Sequence, residues 1–299
     1  MHMSTPAIAA NRKGIVAICL AMGLFIANDA LVKYVSASLP AAQLIFIRGL
    51  FATSLLLVAA MVMGVVGPKA LSLTDAWQQL TQRPVLARAA LDALATMAYL
   101  TSLFHLPIGN ASAINMASPM FIAVYAAVVW REQVSLGRWL AIAVGFVGVL
   151  LIVQPAADAF NAWSLLCLFA TLLHTARDLI TRKIALTVPS ILITLTTSTA
   201  VVLLTGPWSL LQGWAPVNAN QLGLLAAASV FLSAAYYMVI VGMRSGELSL
   251  VAPFRYTALV YALLLGWLIW GEVPNAMAWS GIVLLVTAGL AMLRPGREP

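Results

Sequence analysis

The chain has 299 residues, 63% of them hydrophobic and only 8% charged, with a mean hydropathy of +0.99. Soluble domains carry charge on roughly a quarter of their residues, so this composition excludes a soluble enzyme or binding module and indicates a polytopic membrane protein. The net charge of +7 does not indicate nucleic acid, because the basic residues are scattered among predicted loops and form no run.

A helix needs roughly 20 apolar residues to cross the hydrocarbon core. Runs of that length, bounded by charge, Pro or Gly, number ten: Gly14–Tyr34, Ala42–Val66, Val85–Phe104, Asn110–Trp130, Gly137–Val153, Trp163–Ile184, Ile191–Leu211, Gln221–Met243, Leu248–Trp270 and Ala276–Leu293. The longest connection, about Gly67 to Pro84, leaves no room for a separate soluble domain. Any activity therefore resides in the membrane. With the N-terminus inside, eleven Lys and Arg fall in inner segments and only Lys33 in an outer loop. The positive-inside rule then predicts a cytoplasmic (inner) membrane protein with both termini cytoplasmic.

Ionisable side chains at membrane depth are costly unless paired or wet, so each is a functional candidate. Span one ends on Asp29 and Lys33, one turn apart, and Asp29 is a gating or coupling candidate. These polar residues follow the first apolar run where a signal peptide would show small residues, so cleavage is not expected. Span two carries Arg48. Span three places Arg88, Asp92, Thr96, Tyr99 and Ser102 at steps of three and four, on one helical face. Asp92 is a gating or coupling candidate there, against the alternative of an Arg88–Asp92 pair that only locks helices. Tyr99 is a substrate ligand candidate, since an aromatic face with a hydroxyl can hold and orient an organic solute.

Span four offers Asn115 as a ligand candidate, with Ser118 and Tyr125 on its face, and Pro119 as a hinge. Span five is rich in small residues, Gly137, Ala141, Gly145 and Gly148, as is span ten with Gly281, Ala288 and Gly289; such residues let backbones approach closely. Span six opens on Trp163, a ligand candidate or an interfacial anchor, and continues with Thr171, His174, Asp178 and Arg182. His174 is a candidate for substrate binding and Asp178 for coupling; a His and a carboxylate one turn apart can pass a proton, or can simply satisfy each other. Span eight presents Ser229, Ser233, Tyr236 and Tyr237, with Tyr237 a ligand candidate. Span nine carries Pro253 as a second hinge and Tyr256 as a further ligand candidate, beside Arg255.

The punctuation of the chain is doubled. Trp130-Arg131-Glu132, Trp139 and Pro155 return 140 residues later as Trp270-Gly271-Glu272, Trp279 and Pro295. Asp29, Lys33 and Pro40 return at an offset of 149 as Asp178, Arg182 and Pro189. The predicted fold is thus an all-α membrane protein of ten transmembrane helices in two five-helix repeats, residues 1–155 and 156–299. Five spans is an odd number, so the second repeat enters the membrane inverted, the architecture of many secondary carriers.

The two Trp-x-Glu hairpins, Ser118-Pro119 with Glu132 beyond it, and the count of ten spans resemble the EamA-type branch of the drug/metabolite transporter superfamily. Within it the chain looks most like the YddG-type exporters of aromatic amino acids. One departure is Arg131, where the family's usual Gly is kept only as Gly271. The resemblance implies a central cavity bounded by spans three, four, eight and nine with one, two, six and seven, while five and ten form a scaffold. It also implies export of amino acids or related amphipathic metabolites by alternating access. Other drug or metabolite carriers are the nearest alternative. A membrane-embedded enzyme or a channel is less favoured, since neither a convergent catalytic set nor a filter-like loop is present.

Cys19 and Cys167 lack metal or redox spacing, and Gly145-Phe146-Val147-Gly148 lacks the Lys of a phosphate loop, so no metal or cofactor is expected. The expected partners are a small-molecule substrate and the lipid bilayer, with no nucleic acid; a monomer suffices.

Overall fold

The computed structural model describes residues 5–65, 73–129, 131, 136–154, 161–181, 183–185, 187–245 and 252–292. Trp130, Glu132, Pro155, Arg182 and Pro295 of the repeated signature, and Lys69, Arg294 and Arg297 of the charge pattern, lie outside these residues.

Every regular element among the described residues is helical: α1 (Thr5–Ser36), α2 (Ala41–Val62), α3 (Leu73–Leu80), α4 (Arg83–Leu103), α5 (Ile108–Asn115), α6 (Ser118–Val129), α7 (Leu136–Val153), α8 (Ala162–Thr181), α9 (Ser190–Gln212), α10 (Ala219–Ser245), a 3-10 turn η1 (Ala252–Tyr256), α11 (Thr257–Trp270) and α12 (Ala276–Met292). Among the described residues six segments are long and apolar enough to cross a membrane: Asn11–Ser36, Ala41–Val62, Ile108–Val129, Ala162–Thr181, Ser190–Gln212 and Ala219–Val239. Three shorter apolar helices cover Trp139–Val153, Phe254–Trp270 and Ala276–Ala291. Helix α4 has 21 residues but includes Arg83, Arg88 and Asp92, and is not among the six.

The expected span four is broken. Helix α5 stops at Asn115, Met116 and Ala117 form a turn, and α6 restarts at Ser118. Pro119 is the cause: it has no N–H to bond the carbonyl four residues back, yet it is well suited to the first turn of a new helix. Pro253 lies in the backbone of η1, which leads into α11. Where a long connection was expected, Leu73–Leu80 forms the short helix α3.

The helices gather into two contact-rich units. The first comprises residues 1–30, 105–168 and 234–299, the second residues 31–104 and 169–233. In the first unit α7 and α12 pack backbone to backbone. A Cβ built on Gly148 would stand 2.7 Å from the Gly281 carbonyl oxygen, and one on Gly281 2.5 Å from that of Gly148. Only glycines permit this approach. The turn after α11 is held by Gly271 in the left-handed region (φ 67°). Beyond it, the Glu272 carboxylate accepts the Ile108 backbone N–H at 2.9 Å. That N–H is one of the donors a helix start leaves without an internal acceptor, so Glu272 ties the α11–α12 hairpin to the head of α5.

In the second unit α2 packs along α9. Gln43, fully buried, donates to the Ala215 carbonyl at 2.8 Å and accepts the Ala215 N–H at 2.9 Å. This two-way amide clamp fixes the chain after α9 while leaving neither backbone group unsatisfied.

Candidate functional site

The second unit concentrates the charge. Asp92 on α4 is 4% exposed, and its Oδ1 accepts from Arg177 Nη1 on α8 at 2.7 Å. Arg88, one turn before it, lies 3.7 Å from the other carboxylate oxygen. The position of Arg88 is itself fixed, because it donates to the Thr181 hydroxyl on α8 at 2.9 Å and the Thr197 hydroxyl on α9 at 2.6 Å. Both threonines donate their own protons to helix carbonyls, Arg177 O and Ile193 O, which leaves lone pairs for the guanidinium. Arg177 also binds its neighbour Asp178, whose Oδ1 accepts from Nε and Nη2, each at 2.9 Å. Two cations and two anions therefore form a neutral, hydrogen-bonded chain. Such pairing is what makes charge tolerable in apolar surroundings.

The same helices bring aromatics together. Tyr99, 8% exposed, faces His174 with ring centroids 6.0 Å apart and planes tilted by 58°. The contacts Arg88 to Thr181, Asp92 to Arg177 and Tyr99 to His174 run in opposite directions along the two helices, so α4 and α8 are antiparallel here. From helical rise, the ring pair stands about 5–10 Å along the helices from the ion pairs. Ser102 is fully buried, and its hydroxyl donates to the Tyr99 carbonyl.

Arg177, the hub, escaped the sequence reading. The stripe His174–Asp178–Arg182 is defined by spacing within one helix, whereas Asp92, which Arg177 binds, lies 85 residues earlier. A guanidinium inside an apolar span, with Asp92 inside another, was the available signal.

The remaining candidates fall in the first unit. Asp29 is half-buried and accepts from the Asn28 amide at 2.9 Å. Trp163 stacks on His105 at 3.9 Å and 13°, and Asn161 donates to the His105 carbonyl at 3.2 Å. Asn115 ends α5, Pro119 opens α6 and is exposed, and Tyr237 is 60% exposed on α10. Tyr256 seats its hydroxyl against the backbone of Gly289 on α12, and Tyr236 meets Phe25 edge-on at 5.1 Å. A cavity of about 150 Å³ in this unit is lined by neutral amides, among them Asn110, Asn161 and the mutually bonded pair Gln154–Asn275. Among the described residues no group of three or more His, Cys, Asp or Glu is placed to hold a metal.

The second unit thus joins a charge-balanced, hydrogen-bonded cluster to an aromatic pair between α4 and α8. The profile of the EamA-like transporter family matches residues 12–154 and again residues 161–294. The chain belongs to the EamA-like transporter family. As an EamA-like transporter it is a multi-pass membrane transporter of small metabolites. It is 31% identical over 218 residues to a riboflavin transporter of Rhizobium johnstonii, covering 73% of this chain and 70% of that one. It is 26% identical to the pseudopaline exporter CntI of Pseudomonas aeruginosa, covering 95% and 96%. The S-adenosylmethionine uptake transporter of Rickettsia prowazekii is 24% identical, with 89% and 87% covered. A crystal structure with 18% identity superposes at a TM-score of 0.63 over 96% of this chain and 97% of the other, a likeness of fold alone.

Proposed function

We propose that this EamA-like transporter is a secondary carrier for small amphipathic metabolites that join a ring to a polar, charged end, aromatic amino acids among them, and that it exports them. Ten spans in two inverted repeats, termini inside, would carry the alternating access. The double match of the family profile to residues 12–154 and 161–294 supports the duplication.

The single observation that carries the substrate class is the Asp92–Arg177–Asp178 chain set within about 10 Å of the Tyr99–His174 pair, a charged anchor beside an aromatic wall. Riboflavin and S-adenosylmethionine, named for two of the relatives, also combine a heteroaromatic ring with a polar chain. Those relatives include an uptake transporter, which favours inward flux as the second reading.

Proteoliposomes holding the full chain decide between them. Radiolabelled tryptophan, phenylalanine, riboflavin and S-adenosylmethionine are tested for saturable counterflow and for net flux in both directions, with and without a pH gradient. Counterflow of at least one of them is expected, and Tyr99→Ala should lower it at least tenfold while the protein stays monodisperse. Non-saturating flux would make the protein a channel, and flux unaffected by Tyr99→Ala would remove the aromatic wall from the site.

A further inference from the structure

Within the charged chain of the second unit the two carboxylates are not equivalent. Asp92 is held from both sides, by Arg177 at 2.7 Å and by Arg88 at 3.7 Å, and its side chain is 5% exposed. Asp178 is bound through Arg177, on the same helix and next in sequence, and its side chain is 43% exposed. Arg177 thus has one fixed counter-ion and one at the open edge of the cluster.

We infer that Asp178 is an exchangeable counter-ion: a substrate carboxylate displaces it from Arg177, and the freed Asp178 takes the substrate's ammonium group, so that the site selects zwitterions with adjacent carboxylate and ammonium. The inference rests on the carrier reading and narrows it to one head group. Its physical basis is charge conservation where water is scarce. A zwitterion exchanges the Arg177–Asp178 pair for two new pairs and leaves every charge matched. A carboxylate without an amine strands Asp178, and an amine without a carboxylate finds Asp178 already satisfied. Arg177 keeps its place during the exchange because Asp92, fixed by Arg88, does not move with it. Arg88 in turn is fixed by Thr181 and Thr197. Arg177, with its planar fork, suits bidentate capture of the incoming carboxylate.

The test uses the full chain in proteoliposomes and three compounds with one ring: tryptophan, tryptamine, which lacks the carboxylate, and indole-3-propionate, which lacks the amine. The wild-type protein should prefer tryptophan at least tenfold over either analogue. Asp178→Asn should lose tryptophan transport and gain indole-3-propionate transport, because no anion is then left stranded. A merely structural role for Asp178 would not produce that inversion. Asp178→Glu, which keeps the charge, should keep the preference for tryptophan and covers the case in which the Asn variant fails to fold. Equal transport of the analogues by wild type, or an unchanged preference in Asp178→Asn, overturns the inference. Transport of riboflavin alone, independent of Asp178, also overturns it while leaving the carrier reading intact; no flux of any compound removes both.

Discussion

At the residue scale, Arg131 and Gly271 occupy the same place in the repeated Trp-x-Glu signature, and both adopt left-handed backbone, with φ of 55° and 67°. The departure from Gly at position 131 therefore leaves that residue in the same left-handed region as Gly271. It does carry a steric penalty, about 1 kcal/mol for an L-residue in this region. Arg131→Gly should raise stability by about 0.5 kcal/mol once the greater freedom of Gly in the unfolded chain is set against it. Gly271→Ala should lower stability by about 1 kcal/mol. Thermal unfolding in detergent checks both; a loss of stability in Arg131→Gly, or a gain in Gly271→Ala, would refute the shared left-handed conformation. The same scale shows what a sequence yields about a site. Depth in an apolar span was enough to single out Asp92, Tyr99, His174 and Asp178. It was not enough to find Arg177, whose bond to Asp92 joins positions far apart in the chain.

At the scale of elements, the small residues of the expected spans five and ten do meet. The closest approach of α7 to α12 is carried by Gly148 and Gly281, where an added methyl group would strike backbone at 2.5–2.7 Å. Gly281→Ala should therefore cost about 2 kcal/mol, within the range for overpacking. Gly145→Ala should cost under about 1 kcal/mol, because its methyl would strike the flexible thioether end of Met120 and reach the Ala288 methyl only at an ordinary contact distance of 3.4 Å. Comparable losses at the two positions would show that the contact yields. Pro119 sets the second element-level expectation. With alanine there, an N–H is restored opposite the Asn115 carbonyl and α5 can run on into α6. If the break serves gating, Pro119→Ala slows flux several-fold with substrate affinity unchanged; an unaltered turnover would exclude the break from the transport cycle. The short helix α3 was not legible, since eight residues with four apolar positions, the first, fourth, fifth and eighth, fall below the length at which a pattern stands out from a loop.

At the scale of the whole molecule, the contact-rich units cut across the sequence halves: each draws helices from before residue 155 and after residue 161. Neither half on its own can bury its apolar faces as it does in the full chain. Residues 1–155 expressed alone should be degraded in the membrane, whereas co-expression with residues 156–299 should restore a stable protein, read by protease resistance and co-purification. A stable, protease-resistant half would show that the repeats fold independently and that the mixed units form afterwards.

Composition and periodicity by themselves determined the membrane setting and the helical class, because these follow from how much apolar surface each stretch of chain carries. Tertiary structure alone decided which carboxylate is locked and which is open. Asp92 and Asp178 read alike along the chain, as acids in apolar spans. Only the folding of α4 against α8 and α9 gives the first two guanidinium neighbours and leaves the second at the edge, since ionic pairing depends on distances of a few ångströms between helices that the sequence separates by about eighty-five residues.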